Sequence, residues 1–394
     1  MKRPVEKVQE NKRKRRQSPP SVKPTPSLPL DLISQIFLKL PANAVAKFRC
    51  VSKLWSTVTT DPYFINKFET QPRLLLYFKG GVDKLFVFSV SQHNPNDSYS
   101  HYSSSQPINS YHMKYPKRIS FISKQKTESV HGLICFQKSA KPIVWNPNPN
   151  VRKLLYLPRP DKSWKKGIIA FLGYDPIDCV HKVVCMPSGE EASDECRVLT
   201  LGWSNQKYSW RRIRSRCTHR PFVYGQCING VLYYQAQLGG GSGRAIMSFD
   251  VRSEKFGVIA LPWAGYWEMR IITYERKFAC VGSVENSISV WVLEDAEKLK
   301  WSNHIFLPLS HYYVQGLENF KLMGTTDDGE LIYVQTKLFK SFHVIYIHPR
   351  RKTFRKVDYR GIVDDEFRKR HRLGEGRLRG LQVFPNHVET LLSY

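Results

Sequence analysis

The stretch Cys-Ile-Asn-Gly-Val-Leu-Tyr-Tyr, residues 227–234, places an Asn-Gly pair between two apolar runs. Asn-Gly and Asp-Gly are preferred in two-residue hairpin turns because both central residues of such a turn need positive φ. Similar segments occur at His131-Gly132, followed by Leu-Ile-Cys-Phe, and at Asp328-Gly329, followed by Glu-Leu-Ile-Tyr. The three glycines are 98 and 99 residues apart. This spacing predicts a hairpin that recurs along the chain.

Apolar runs of similar β-character lie between these turns and beyond them. They begin at Lys182 and Lys277, with Lys84 before the series and Gly380 after it, and successive anchors are 47 to 52 residues apart. A repeat of this length with about four strands is typical of a β-propeller blade. We therefore predict an all-β repeat domain over residues 71–394, a propeller of about six blades. A pair of β-sandwiches is the alternative.

Closure of such a ring requires its sheet edges to be paired. An open ring would leave sheet edges unpaired, and unpaired edges promote aggregation. The run Gly380–Phe384 is the last of the β-runs along the chain. We expect it to supply a strand that closes the ring against the segment Leu74–Phe88.

The segment before the repeats has a helical pattern instead. From residue 30 to 40 the apolar residues recur at helical spacing, with Pro29 where the helix begins and Pro41 where it stops. Two further short helices are predicted, one capped by Asn43 and one carrying the apolar residues of 51–58. Three short helices cannot bury much of their own apolar surface. We expect this unit, residues 28–70, to need a partner.

Residues 1–27 differ from both of these regions. They hold nine Lys and Arg against two Glu, together with a Ser/Pro-rich stretch. Like charges repel and proline opposes helix, so this segment is predicted to be a disordered tail. Its basic cluster, a candidate nuclear-import signal, consists of Lys12, Arg13, Lys14, Arg15 and Arg16. The alternative is a tail that only improves solubility.

Charge and cysteine content narrow the class of protein. The net charge is +28, and a second basic concentration runs from Arg350 to Arg379. Such a charge could attract nucleic acid, so a basic nuclear nucleic-acid-binding protein stays an alternative function. The eight cysteines form no CxxC pair, and we find neither a signal peptide nor a membrane-spanning run. We expect an intracellular protein of the nucleus or cytoplasm with reduced thiols.

Catalytic motifs are missing. We find no GxSxG, Walker or HExxH sequence, and no cofactor or metal site is predicted. The glycine tract Gly239–Gly243 lacks the following Gly-Lys-Ser/Thr of a phosphate-binding loop, and it is interpreted as a hairpin tip. The sequence therefore favours a binding protein over an enzyme.

Two parts of this chain each resemble a known domain family. The helical unit resembles the F-box in the order and spacing of Leu28-Pro29-Leu30-Asp31-Leu32, Ile36, Leu40-Pro41, Phe48–Trp55 and Asp61–Phe64. The remainder is similar to the F-box-associated domain of the large plant family in the phrases Val144–Pro147, Phe171–Pro176, Cys227–Tyr234, Phe249–Phe256 and Val290–Asp295. The resemblance implies an α+β multidomain protein with a three-helix F-box and a kelch-like propeller, although the repeated double glycine of kelch units is absent.

The resemblance also implies a function. Such proteins are substrate receptors of SCF ubiquitin ligases: they bind a Skp-type adaptor, which joins a cullin and a RING protein, and they carry out no chemistry. The residues carried over to the adaptor interface are Leu28, Pro29, Leu32, Ile36, Leu40, Pro41, Val51 and Trp55. Ile33, Phe37 and Phe48 could instead fill the core of the unit, and Trp55 could serve either role. A scaffold that binds the adaptor without a role in ubiquitination is a further alternative, and the substrate stays unknown.

Overall fold

The computed structural model describes residues 28–390 apart from several gaps. The gaps are positions 39, 41, 62, 65–67, 69–71, 82, 93–101, 115–127, 139, 150, 152–153, 203–207, 242, 262–268, 285–286 and 307–318. The predicted tail of residues 1–27, with its basic cluster Lys12–Arg16, and the predicted interface residue Pro41 lie outside the described residues.

Within the described residues the N-terminal unit contains the three predicted helices: α1 (Leu30–Leu38), α2 (Ala42–Phe48) and α3 (Lys53–Thr60). Helix α2 begins at Ala42, so Asn43 lies in its first turn and is not its cap. Helix α1 starts after Pro29, whose carbonyl accepts hydrogen bonds from the N–H groups of the first turn. Helix α3 is capped by Ser52, whose hydroxyl accepts from the Trp55 N–H at 3.1 Å. Its C-terminal cap, Asp61, is extended and ends the helix.

These helices enclose a small core. Its fully buried residues are Ile33, Phe37, Val45, Phe64 and Phe68. The rings of Phe37 and Phe48 stack at 5.4 Å, with Phe48 partly buried. The reading of Ile33, Phe37 and Phe48 as core residues is therefore confirmed.

From residue 73 onward the described chain is mostly strand and turn. The first strands are β1 (Arg73–Gly80), β2 (Lys84–Ser91), β3 (Tyr102–Ser105), β4 (Pro107–Lys114), β5 (Ser129–Val130), β6 (Leu133–Lys138), β7 (Lys141–Trp145) and β8 (Leu154–Tyr156). The next are β9 (Ile168–Asp175), β10 (Val180–Pro187), β11 (Ser193–Thr200), β12 (Arg211–Ile228), β13 (Val231–Leu238), β14 (Arg244–Asp250) and β15 (Lys255–Ile259).

The last strands complete the domain. They are β16 (Arg270–Tyr274), β17 (Lys277–Val284), β18 (Ser287–Asp295), β19 (Lys300–Phe306), β20 (Phe320–Thr325), β21 (Leu331–Gln335), β22 (His343–His348), β23 (Thr353–Tyr359) and β24 (Arg379–His387). A fourth helix, α4 (Asp365–His371), lies between β23 and β24. The glycine tract forms a short 3₁₀ turn, Gly239–Gly241, between β13 and β14, in agreement with its predicted place at a hairpin tip.

The described strands form five sheets. Four of them are single blades of four antiparallel strands, and one of these blades is extended by β3, which pairs in parallel with β23. The seven-stranded sheet β9–β15 contains two units that share the bent strand β12. The first part of β12, Arg211 to His219, pairs with β11, and the second part, His219 to Ile228, pairs with β13.

The innermost strands of these units form a ring. Strands β24, β5, β9, the second part of β12, β16 and β20 each contact the next in that order, and β20 contacts β24 again. Within the described residues the ring therefore has six units, and its core lies between neighbouring blades. The predicted β-propeller is confirmed, and the alternative of two sandwiches is wrong.

The predicted hairpin turns are present. At Asn229-Gly230 and at His131-Gly132 both central residues have positive φ, whereas at Asp328-Gly329 only the glycine does. Five of the seven anchors precede or begin the second strand of a unit. Lys84 is different, because it begins the third strand of its sheet; the equivalent second strand is β1, which starts at Arg73.

The predicted ring closure is also present. Strand β24 pairs antiparallel with β1, with Leu75 opposite Phe384 and Leu76 opposite Val383. The first blade thus combines the C-terminal strand of the domain with its first three antiparallel strands.

Two buried histidines, His181 on β10 and His387 on β24, predict an acid-sensitive fold. Burial lowers the pKa of His181 to about 3 and that of His387 to about 3. Their unfolded pKa is about 6.5, so between these values the unfolded chain binds more protons. The stabilising contribution is present above pH about 6.5 and is lost as the pH falls, by about 1.4 kcal/mol per pH unit for each group.

We therefore expect the free energy of unfolding, measured by urea denaturation, to fall steeply as the pH drops below about 6.5. His387→Gln should reduce the slope in this window. Lys255→Gln, at an exposed position, serves as the control and should leave the slope unchanged, because lysine side chains do not titrate in this window. An equal slope in the His387 variant and the wild type would contradict the assignment.

Candidate adaptor interface and propeller channel

Exposed apolar side chains are concentrated on the N-terminal helical unit. Of the 14 large hydrophobic residues exposed in the described part of the chain, seven lie between positions 28 and 63. They are Leu28, Leu30, Leu32, Ile36, Val51, Leu54 and Tyr63. An apolar concentration of this kind on a small unit marks an interaction site.

Helix α1 carries two apolar stripes. Ile33 and Phe37 face the core, whereas Leu32 and Ile36 are 45% and 50% exposed. Each pair has the i, i+4 spacing that aligns side chains on one helix face. The single apolar stripe seen in the sequence is therefore divided between the core and the surface.

The predicted interface residues are exposed to different degrees. Leu28, Pro29, Leu32, Ile36 and Val51 are exposed, whereas Leu40 and Trp55 are partly buried. Sequence reasoning did not assign Leu30 or Tyr63 to the interface. Both residues lie inside the segments that resemble the F-box, so the sequence contained part of the information needed to assign them.

Trp55 belongs in part to the core. Its ring meets those of Phe37 and Phe48 edge to face, with centroids 5.3 Å apart in both pairs. Edge-to-face contacts of this kind stabilise a core beyond the area that they bury. A change at Trp55 would therefore affect the fold of the unit as well as any interface, and it is a poor test of adaptor binding.

The centre of the propeller contains a channel of about 590 Å³. Its walls come from the innermost strands and include the polar side chains of Glu128, Tyr224, Gln226 and Arg270. Burial raises the pKa of the Glu128 carboxyl well above its usual range, and this carboxyl accepts a hydrogen bond from the Cys227 N–H. The sequence contained no signal for this channel, because its residues are brought together only by the ring.

One contact behind the channel wall, between Ser129 and the buried His387, has the form of a nucleophile and a base. The Ser129 hydroxyl lies 2.8 Å from Nδ1 of His387. However, burial lowers the pKa of this imidazole to about 3, with a further contribution from the Arg73 cation, and a general base works best near the operating pH. The pair is therefore explained as structural.

Two further findings concern the described residues as a whole. They contain no group of three or more His, Cys, Asp or Glu side chains that could hold a metal ion. None of their helices is long and apolar enough to cross a membrane.

Comparison with known proteins identifies both parts of the chain. Residues 26–67 match the F-box domain, and residues 73–388 match the F-box associated beta propeller domain. A protein of Arabidopsis thaliana with a provisional F-box protein name is 53% identical over 381 residues, with 93% of this chain and 94% of that protein covered. An F-box protein of the same plant is 49% identical over 380 residues, with 93% of each covered.

Solved structures are more distant. TolB from Acinetobacter baumannii aligns with a TM-score of 0.38 and 8% identity, covering 85% of this chain and 71% of that chain. A luciferin-regenerating enzyme aligns with a TM-score of 0.37 and 11% identity, covering 70% of this chain and 97% of that chain. At these scores the likeness carries no argument about fold or function.

Proposed function

The chain belongs to the F-box proteins that carry an F-box associated β-propeller domain, and from this membership we propose that it is a substrate-recognition subunit of an SCF-type ubiquitin ligase. In this proposal the F-box binds a Skp-type adaptor, through which cullin and RING subunits join the complex. The propeller holds the substrate protein, and the chain itself carries out no chemical step.

The observation that carries the proposal is the exposed apolar surface of the helical unit. Leu28, Leu32, Ile36 and Val51 are exposed, whereas five apolar residues form the buried core in the described part of the unit. Burial of such side chains against a partner removes apolar area from water, which is the main favourable term in association. An adaptor with a complementary apolar groove fits this surface.

The propeller then acts by proximity. A receptor that holds a substrate lysine close to the activated ubiquitin converts a bimolecular encounter into an effectively intramolecular one. Such a receptor needs a rigid binding surface and no catalytic side chain. The polar channel and the loops at the two ends of the ring provide surfaces of this kind.

The test is direct binding followed by reconstitution. Purified full-length chain should bind a Skp-type adaptor at micromolar concentration, and the assembled ligase should ubiquitinate a protein captured by the propeller. Adaptor binding without any effect on captured proteins would favour the scaffold. Absence of adaptor binding together with steeply salt-dependent binding to DNA or RNA would favour the nucleic-acid-binding alternative.

The basic cluster of the tail leads to a separate proposal, that it acts as a nuclear-import signal. Changing Lys12, Arg13, Lys14, Arg15 and Arg16 to alanine should move a fluorescent fusion of the full chain from nucleus to cytoplasm. Adaptor binding by the purified variant should stay at the wild-type level, because the changes lie outside the F-box. An unchanged distribution would leave the tail as a charged solubiliser.

A further inference from the structure

Two connections of the blade formed by β20, β21, β22 and β23 meet at one end of the propeller. Residues 336–342 join β21 to β22, and residues 360–378 join β23 to β24. Because the strands alternate in direction, both connections lie at the end opposite the turns 327–330 and 349–352. Strand β1, where the chain enters from the F-box, begins next to the C-terminal end of β24 and thus at that other end.

The two connections are joined by an isolated antiparallel bridge. Leu338 and Leu378 pair, and the Leu378 N–H donates to the Leu338 carbonyl at 2.9 Å. Leu338 is fully buried, so the residues on either side of it point away from the core. Lys337 and Phe339 flank Leu338 in the chain, and Arg377 and Arg379 flank Leu378.

All four of these neighbours are exposed, and we call Lys337, Phe339, Arg377 and Arg379 the basic patch. Phe339 is 47% exposed, so the patch combines one exposed aromatic ring with three cations.

Nearby acidic groups do not neutralise the patch. Lys340 pairs with Asp365 at 3.5 Å and with Glu375 at 4.0 Å, and Arg370 pairs with Glu366 at 2.7 Å. Within the described residues no carboxylate lies within 4.0 Å of Lys337, Arg377 or Arg379. The Arg377 guanidinium donates to the Thr336 carbonyl at 3.5 Å, and the side chains of Lys337 and Arg379 are exposed.

A buried arginine joins the backbones of the two connections that carry the patch. Arg368 on α4 is 3% exposed, and its guanidinium donates to the carbonyls of Val363, Phe339, Gly374 and Gly376. These carbonyls belong to both connections, so one side chain ties them together. Its charge is solvated by carbonyls rather than paired with a carboxylate, and it adds to the positive potential beneath the patch.

We propose that the basic patch, Lys337, Phe339, Arg377 and Arg379, binds an acidic segment of a partner protein that carries an apolar residue among its carboxylates. This inference rests on the proposed function and names the chemistry of the substrate. The cations pair with the carboxylates, and the apolar residue packs on the Phe339 ring. Aromatic residues and Arg are enriched at protein interfaces.

The observations favour a protein segment over nucleic acid. Asp365 and Glu375 pair with Lys340, the residue next to Phe339, and their exposed carboxylates would repel a continuous phosphate backbone. A short acidic segment needs only the few cations of the patch itself. Complementary charge of this kind mainly sets specificity and association rate.

The test uses full-length protein and a labelled peptide of Glu and Asp with one central Leu, followed by fluorescence anisotropy. Lys337→Glu combined with Arg379→Glu should weaken binding by at least about tenfold. The control, Arg351→Glu with Lys352→Glu in the turn at the other end, changes the charge equally and should weaken binding by less than about twofold. Phe339→Ser, which leaves the charge unchanged, should also weaken binding.

Three results would overturn the inference. One is equal weakening by the two charge-reversal variants, which would indicate general attraction to a basic protein. The second is the absence of peptide binding to the wild type. The third is tighter binding of a poly-dT oligonucleotide that the patch variant abolishes. The Leu28→Ala, Pro29→Ala variant should bind the peptide normally, so a failure of the adaptor proposal is distinguishable from a failure here.

Discussion

Leu28→Ala combined with Pro29→Ala should weaken binding to a Skp-type adaptor by at least about tenfold. Leu28 is 55% exposed and lies at the edge of the apolar surface, so its side chain is available to a partner. Pro29 sets the entry to α1, and its carbonyl accepts from the N–H groups of Leu32 and Ile33. Anchors of this kind at a protein interface contribute roughly 2 kcal/mol or more each.

The same variant should separate binding from ubiquitination. Neither residue belongs to the buried core of the helical unit, so the F-box and the propeller should both stay folded. Isothermal titration with the adaptor measures the loss, and pull-down of a captured protein checks that the propeller still binds. Substrate capture should survive while ubiquitination of the captured protein stops.

A matched control comes from the propeller. Tyr156→Ala combined with Ile177→Ala removes two apolar side chains that are as exposed as Leu28 but lie outside the F-box. This variant should bind the adaptor like the wild type. Wild-type affinity in the Leu28, Pro29 variant, or equal losses in both variants, would show that the assigned surface is not the interface.

Local features of this chain were predictable from sequence, and features that depend on distant contacts were not. The turn at Asn229-Gly230 is decided by residues next to each other, because only certain residues accept positive φ. The parallel pairing of β3 with β23 depends on strands far apart in the chain. The first blade was misaligned at Lys84 for the same reason, because its innermost strand is β24.

In the candidate sites, too, some features were predictable from sequence and others were not. Helical spacing predicted an apolar stripe on α1, but only the packed unit separates buried Phe37 from exposed Ile36. The basic run from Arg350 to Arg379 was visible in the sequence, yet its members have different roles. Arg355 pairs with Glu330 at 3.0 Å and lies over a tyrosine ring, whereas Arg379 is exposed. Composition gives the amount of charge and not its position.

Removal of residues 376–394 should prevent the propeller from folding to a soluble state. The deletion takes away all of β24, which pairs with β1 and contacts β5 and β20. The unpaired edge of β1 would then be exposed along an apolar strand, and such edges promote aggregation. We expect the truncated chain to accumulate in the insoluble fraction.

The side chains lost with β24 explain the size of the effect. Phe384 packs on the Tyr77 ring at 5.7 Å, Asn386 bonds to Gln92 at 2.6 Å, and Glu389 pairs with the buried side chain of Arg73. Burial of one large apolar side chain contributes about 1.5–3 kcal/mol, and loss of one partner of a buried ion pair costs about 3–5 kcal/mol. Together these losses are comparable with a total stability of about 5–15 kcal/mol.

Two milder variants serve as comparisons for this deletion. A chain that ends at Thr390 keeps every described strand and should be soluble and melt cooperatively like the wild type. Phe384→Ala keeps the backbone pairing of β24 but leaves a cavity, and it should lower the free energy of unfolding by about 3–5 kcal/mol. Size-exclusion chromatography and thermal melting are applied to the deletion of residues 376–394, to the chain that ends at Thr390 and to the Phe384→Ala variant. A truncation at residue 375 that is soluble and melts cooperatively would contradict closure of the ring by β24, because a propeller held together without this strand would not need its pairing to β1.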